Sequence, residues 1–319
     1  MRTPTIADVL QARQLLAAHL PPTPMWSYPA LNATTGTTTF VKHENAQPVG
    51  AFKVRGGITL LSSLTAEQRA AGVLGYSTGN HAQSLAYAAR LFGVPCTIVM
   101  PENPNPLKAA AVRGLGATLI EHGAEFDLAR EYAEELAGRT GATLVSSGDE
   151  PLLIAGVATA YLEIFEREPD LDVLFVPVGA GTGASGACLA ASALAPNCRI
   201  IGVQSSAAPA AHDSWLAGEL VRRPNKTRAE GLSTGHGYQL PQQIMRERLT
   251  DFVLVDDDQI QQAQRILIRD AHTTVELAGA AALAGLLANA DRYAGRKVAV
   301  MCSGANASEA ELRACLAAP

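Results

Sequence analysis

Apolar and polar positions along this 319-residue chain fall into blocks with two different periods. V-L-G-Y-S (73–77), C-T-I-V-M (96–100), A-T-L-I-E-H (117–122) and A-T-L-V-S-S (142–147) are short apolar runs bounded by turn residues, and they predict strands. Between them, apolar residues recur three or four positions apart. Ala82, Leu85, Ala89 and Phe92 mark a helix over 80–92 that Gly93 stops. Two more helices are predicted over 105–114 and 125–138. Four strands separated by three helices in so short a span imply a compact parallel sheet.

The pattern then restarts on a larger scale. A helix over 151–167 leads to a strand at 173–178, a glycine-rich turn, an alanine-rich helix to about 195 and a strand at 199–204. After a looser segment (205–250) come a strand at 252–255, helices at 258–271 and 276–289, and a last strand at 298–303. The fold expected is α/β, with two open twisted parallel-sheet domains. Residues 1–70 and 149–319 form the large one, and 71–148 the small inserted one.

Composition narrows the classes. At 48% hydrophobic and 17% charged residues the chain can build large cores. A net charge of −5 without a basic run argues against nucleic acid. No apolar run reaches membrane-spanning length, and the N-terminus reads as a short amphipathic helix rather than a leader peptide. Cys96, Cys188, Cys198, Cys302 and Cys315 lack C-x-x-C spacing, which suits reduced thiols in a cytoplasmic protein.

Three segments carry candidate chemistry. In N-A-Q-P-V-G-A-F-K-V-R-G-G (45–57), Lys53 stands between apolar residues, one of only five lysines against twenty arginines. A lysine in a dry pocket can lose its proton and attack an aldehyde; an ordinary helix start would let it reach water instead. G-A-G-T-G-A-S-G (179–186), between a strand and a helix, offers backbone N–H groups to a phosphate. Gly181–Gly186 also matches a dinucleotide fingerprint, but Gln204 stands where that reading wants an acid. In Y-S-T-G-N-H-A-Q (76–83), Ser77, Thr78 and the helix start could bind a carboxylate or simply cap the helix. Ser303, in M-C-S-G-A-N, ends the last strand, where ligands sit in open α/β sheets. No metal-ligand spacing and no G-x-S-x-G elbow appear. One ligand would unite these segments: a planar aldehyde with a phosphate and a ring nitrogen, pyridoxal 5′-phosphate.

With these motifs in order, the chain resembles the fold-type II pyridoxal-phosphate enzymes, of tryptophan synthase β-like architecture, in the threonine/serine dehydratase and serine racemase branch. A-F-K-V-R-G-G resembles the lysine segment, S-T-G-N-H-A-Q the substrate-carboxylate loop and V-P-V-G-A-G-T-G the phosphate loop. V-E-L-A-G-A-A-A-L-A (275–284) resembles a late helix and C-S-G-A-N the nitrogen-binding segment. The resemblance implies that Lys53 is the Schiff-base lysine and the base, that Phe52 lies beside the ring and that Asn80 binds its phenolic oxygen. Gly179, Ala180, Gly181, Thr182 and Gly183 would hold the phosphate. Ser77, Thr78, Gly79, Asn80 and His81 would surround the substrate carboxylate. Ser303 would meet the nitrogen, with Glu276 and Gly231 near the ring, and Thr78 would be the second-face residue of any racemisation.

The implied activity is β-elimination from L-threonine or L-serine, giving a 2-oxo acid and ammonia. Phenylserine or 3-hydroxyaspartate dehydration, and amino-acid racemisation, are the alternatives; a dehydrogenase or a solute-binding protein explains less. Val49 and Ala51, where the family often has hydroxyls, imply a drier pocket and tilt slightly toward an apolar β-substituent. Gln204, Ala208 and Ala210 imply a missing or weakened divalent-metal site. The short remainder after the last motif leaves no room for a regulatory domain, and the family's habit implies a homodimer or homotetramer.

Overall fold

The computed structural model describes residues 1–317. Its strands form two sheets. Strands β1 (Met25–Ser27), β2 (Thr38–His43), β7 (Val173–Pro177), β8 (Arg199–Ser205), β9 (Asp251–Val255) and β10 (Lys297–Cys302) make the larger, in the order β1-β2-β10-β7-β8-β9. Strands β3 (Val73–Tyr76), β4 (Cys96–Met100), β5 (Thr118–Glu121) and β6 (Thr143–Val145) make the smaller, in the order β5-β4-β3-β6. All pairings are parallel except that of β1 with β2 at one edge.

Side chains on a strand point alternately to opposite faces. In β7, Leu174 and Val176 enter one apolar cluster with the helices Pro151–Arg167 and Thr182–Leu194, while Val173 and Phe175 enter another with Asp257–Asp270 and Leu277–Leu287. Both faces are covered, so the strand has no polar side and reads as an unbroken apolar run. Each such side chain contributes about 1.5–3 kcal/mol by leaving water. The helices Asn80–Phe92 and Pro151–Arg167 fall where periodicity places them.

The N-terminal part was not legible in this way. Strand β2 runs T-T-F-V-K-H, and its neighbourhood buries hydroxyls and charges: Thr35, Thr37 and Thr39 hydrogen-bond one another out of solvent. The helix Lys53–Ser62 packs between Asn80–Phe92 and Pro151–Arg167 through glycines. A Cβ on Gly57 would stand 2.4 Å from Ser84 Oγ, and one on Gly56 would stand 2.8 Å from the Leu153 carbonyl oxygen. Val54, Ile58 and Leu61 of this helix share a core with Leu85 and Ile98 of the smaller-sheet region.

On the far side of the Lys53–Ser62 helix lies a buried ionic network. Arg55 binds both oxygens of Glu44 at 2.8 Å, Glu163 at 2.7 and 3.0 Å and Thr159 Oγ1 at 3.1 Å. Lys42, also buried, pairs with Glu163 and donates to the Thr23 carbonyl at 2.9 Å. Burial works against charge on Glu44, but Arg55 and Lys42 outweigh it and hold its carboxyl below the ordinary range.

Candidate active site

The Lys53 helix starts from a chain reversal at Gly50, which has φ 67°. The strap before it is laced to the segment after β10: Phe52 N–H donates to the Ser303 carbonyl at 3.1 Å, and Ala305 N–H donates to the Gly50 carbonyl at 2.8 Å. Segments more than two hundred residues apart in sequence are therefore fixed together by backbone bonds, and Lys53 and Ser303 share one end of the larger sheet.

Lys53 is half-buried in the cavity wall, and its Nζ donates to Thr182 Oγ1 at 2.8 Å and to the Ser147 carbonyl at 3.3 Å. Neither acceptor is a carboxylate. Burial lowers the amine's pKa from 10.5 to about 8.

Thr182 opens the helix after the glycine-rich turn. Gly181 holds φ 93°, a conformation that favours glycine, and aims the first N–H groups of Thr182–Leu194 into the cavity end. At Gly179 the turn meets Gly231 so closely that a Cβ would stand 2.3 Å from the Gly231 oxygen. A cavity of about 610 Å³ opens above this turn, and all fourteen candidate site residues line it, as does Gly231.

The 77–81 loop forms the opposite wall. Ser77 N–H donates to the Val99 carbonyl at 3.3 Å, and Gly79 N–H donates to Ser77 Oγ at 3.2 Å. Asn80 is clamped: its amide donates to Glu276 Oε1 at 2.6 Å, and its oxygen accepts from Asn306 Nδ2 at 2.7 Å. Burial raises the Glu276 carboxyl from 4.5 to about 7, against the opposing pull of Lys108 and Asn80. His81 is buried, with its Nε2 3.5 Å from the Val145 carbonyl; burial and then Lys53 push its imidazole down to about 3.

Several residues here carried no signal in the sequence. Asn306 lies in the C-S-G-A-N motif, but its grip on Asn80 and the Val49 carbonyl depends on tertiary structure. Tyr238 accepts from Ser147 Oγ at 3.1 Å in the cavity wall. Lys108 and Glu230, paired across the cavity, are 122 residues apart. Burial does lower the Lys53 pKa as a dry pocket would, but Val49 and Ala51 are not its cause. Both are buried away from the cavity wall, Val49 in the smaller-sheet core and Ala51 in a backbone bridge to Gly304. Gln204 is buried, with its side-chain oxygen accepting from His212 N–H at 2.9 Å.

The chain has well-matched relatives. The L-threo-3-hydroxyaspartate ammonia-lyase of Saccharomyces cerevisiae is 37% identical over 307 residues, covering 96% of this chain and 94% of the relative. The L-threonine ammonia-lyase of Thermotoga maritima is 36% identical over 95% of this chain and 75% of its own length. Maize serine racemase, a solved structure, superposes with a TM-score of 0.92 at 30% identity, covering 99% of this chain and 97% of its own. The model of the family described as pyridoxal-phosphate dependent enzyme spans residues 16–304, from before Lys53 to just past Ser303, and the chain belongs to that family.

Proposed function

We propose that this protein is a pyridoxal-phosphate-dependent ammonia-lyase that eliminates water from a β-hydroxy amino acid and yields a 2-oxo acid and ammonia. The observation that carries the reading is the placement of the Lys53 amine, 2.8 Å from Thr182 at the start of the phosphate-type turn and in one cavity with the 77–81 loop and Ser303.

The residues fit the cofactor. The turn 179–183 presents N–H groups and a hydroxyl to a phosphate. Lys53 would hold the aldehyde carbon, and the Ser303 hydroxyl would meet the ring nitrogen. Phe52 lies beside Gly183, its ring 3.6 Å from where a Cβ there would stand. When bound, pyridoxal phosphate supplies an electron sink for the pair released at the substrate Cα. The chain supplies the rest. Ser77, Thr78, Gly79 and the N-terminus of Asn80–Phe92 receive the substrate carboxylate. Lys53, with its pKa lowered to about 8, takes the α-proton. It then returns that proton to the departing β-hydroxyl, which leaves as water. A serine hydroxyl at the ring nitrogen, unlike an aspartate, would not hold that nitrogen protonated, so the cofactor would supply a moderate rather than a strong electron sink, which suits elimination.

The deciding experiment is a screen for 2-oxo-acid formation over threonine, serine, phenylserine and 3-hydroxyaspartate in both stereochemical series. No product from any of them would end the reading. A second reading, racemisation, is favoured by the likeness to serine racemase, with Thr78 as the opposite-face group. Thr78→Ala would then abolish interconversion of enantiomers while 2-oxo-acid formation persists.

Residues 71–148 are assigned to the smaller domain, since they carry β3–β6, and 1–70 with 149–319 to the larger, residues 318 and 319 lying outside the described ones. The protein is placed in the cytoplasm, where its five buried, unpaired cysteines stay reduced. Its assembly is assigned as a homodimer or homotetramer, which sedimentation would check. Among the described residues no helix is long and apolar enough to cross a membrane.

A further inference from the structure

Lys108 projects from the helix Pro106–Gly114 into the cavity, where its ammonium pairs with Glu230 on the facing 3-10 turn Glu230–Leu232. The two partners are unequal. The Lys108 side chain is 9% exposed and the Glu230 side chain 50%. The ammonium also hangs over the substrate-carboxylate loop, 3.7 Å from where a Cβ on Gly79 would stand. Among the cavity's other cations, Lys53 is assigned to the cofactor, Arg223 is held by Asp213 at 2.6 Å, and Arg222 is bridged through its backbone to His236.

An ammonium has three donors, and one carboxylate does not use them all. A half-exposed carboxylate returns to water at little cost, whereas a buried ammonium must keep an anionic or hydrogen-bonding partner. A second anion entering beside Gly79 would therefore take Lys108 from Glu230 or share it. Threonine and serine bring no such anion. A β-hydroxy dicarboxylic amino acid does, one carbon beyond the reacting Cβ.

We propose that Lys108 is the specificity-determining residue of this cavity. It binds the distal carboxylate of a 3-hydroxyaspartate-type substrate by exchanging Glu230 for it, and the protein prefers such dicarboxylic substrates to threonine and serine. This rests on the elimination reaction proposed above and names the substrate class for it. The slight tilt toward an apolar β-substituent loses its basis, because Val49 and Ala51 stand outside the cavity wall.

The test compares the holoenzyme with its Lys108→Met, Lys108→Arg and Glu230→Gln variants, with folding of each checked by thermal unfolding. In Lys108→Met the ratio of kcat/KM for 3-hydroxyaspartate to that for threonine should fall about 100-fold, as expected when a buried charge-assisted contact is removed. Lys108→Arg should recover part of that ratio, and Glu230→Gln should keep or raise it. Independently of turnover, calorimetry with succinate and butyrate as probes should show succinate binding more tightly, and the advantage should vanish in Lys108→Met. Equal losses on both substrates in Lys108→Met would overturn the assignment and place Lys108 at the α-carboxylate or in the scaffold. So would a succinate advantage that survives the substitution. If the wild type turns over threonine and serine but not 3-hydroxyaspartate, only the Lys108 assignment falls. If it turns over none of them, the elimination reading falls, and the succinate comparison still judges Lys108.

Discussion

The two faces of one short helix treat charge in opposite ways. Arg55, two residues after Lys53, meets Glu44, Glu163 and Thr159, so its guanidinium is held charged although buried. Lys53, on the cavity side, meets a hydroxyl and a carbonyl and no carboxylate. Glu276, in the same cavity, has an amide for its closest partner. The network thus anchors the helix with saturated charges, while the cavity leaves an amine and a carboxyl undercompensated. Burial then drives their pKa values toward neutrality from opposite directions, to about 8 and about 7. Groups that change protonation near neutral pH are what proton transfer requires.

The contrast can be broken most severely at Lys53. Lys53→Ala removes the proposed anchor of the cofactor and the proposed base together, and 2-oxo-acid formation should fall on the order of 10⁴-fold. Because no counter-ion is stranded, the urea midpoint of the cofactor-free protein should hardly move. A large loss of stability would show that the amine is a structural cation.

Arg55→Met attacks the opposite face. It takes the paired guanidinium from buried Glu44 and leaves Lys42 as the remaining ion-pair partner of Glu163, and should cost about 3–5 kcal/mol by urea unfolding. A cost no larger than that of an exposed ion pair would mean the network is not the anchor described.

Acidity offers a finer test. If Lys53 is the anchor proposed above, cofactor capture by the apoprotein needs its neutral amine, so the rate, followed by the appearance of yellow colour, should climb through about pH 8 and level above it. A profile still climbing toward 10.5 would show an ordinary lysine.

The smallest effect concerns Glu276. Its folded pKa lies above the ordinary carboxyl value, so its contribution to stability is fullest below about 4.5 and is lost as pH rises toward about 7. Glu276→Gln removes that loss, and its urea midpoint relative to the parent should improve between about pH 5 and about pH 8. A difference independent of pH would show that the carboxyl titrates normally.

The sequence disclosed the central strands and the flanking helices because both faces of the larger sheet are covered, which leaves apolar runs such as V-L-F-V. It disclosed the 53, 77–81, 179–183 and 303 segments because each depends on local backbone chemistry. Strand β2 stayed hidden because buried threonines and Lys42 break its apolar alternation, and their compensation comes from residues far along the chain. Lys108 with Glu230, and Asn306 with Asn80, were hidden for the same reason. Each half is unremarkable alone, and only the fold brings the halves within reach. Val49 and Ala51 misled because nearness in sequence to Lys53 is not nearness to its amine.

Strand β10 lies in the middle of the larger sheet, between β2 and β7, yet it is the last strand in sequence among the described residues. On a ribosome, Lys53 and the turn at 179–183 emerge long before the strand that joins their two parts of the sheet. A growing chain can shape its smaller sheet early but cannot finish this pocket until residues 297–305 are free of the exit tunnel. Vitamin loading is thereby tied to the emergence of β10, and fragments that stop short of it should stay colourless.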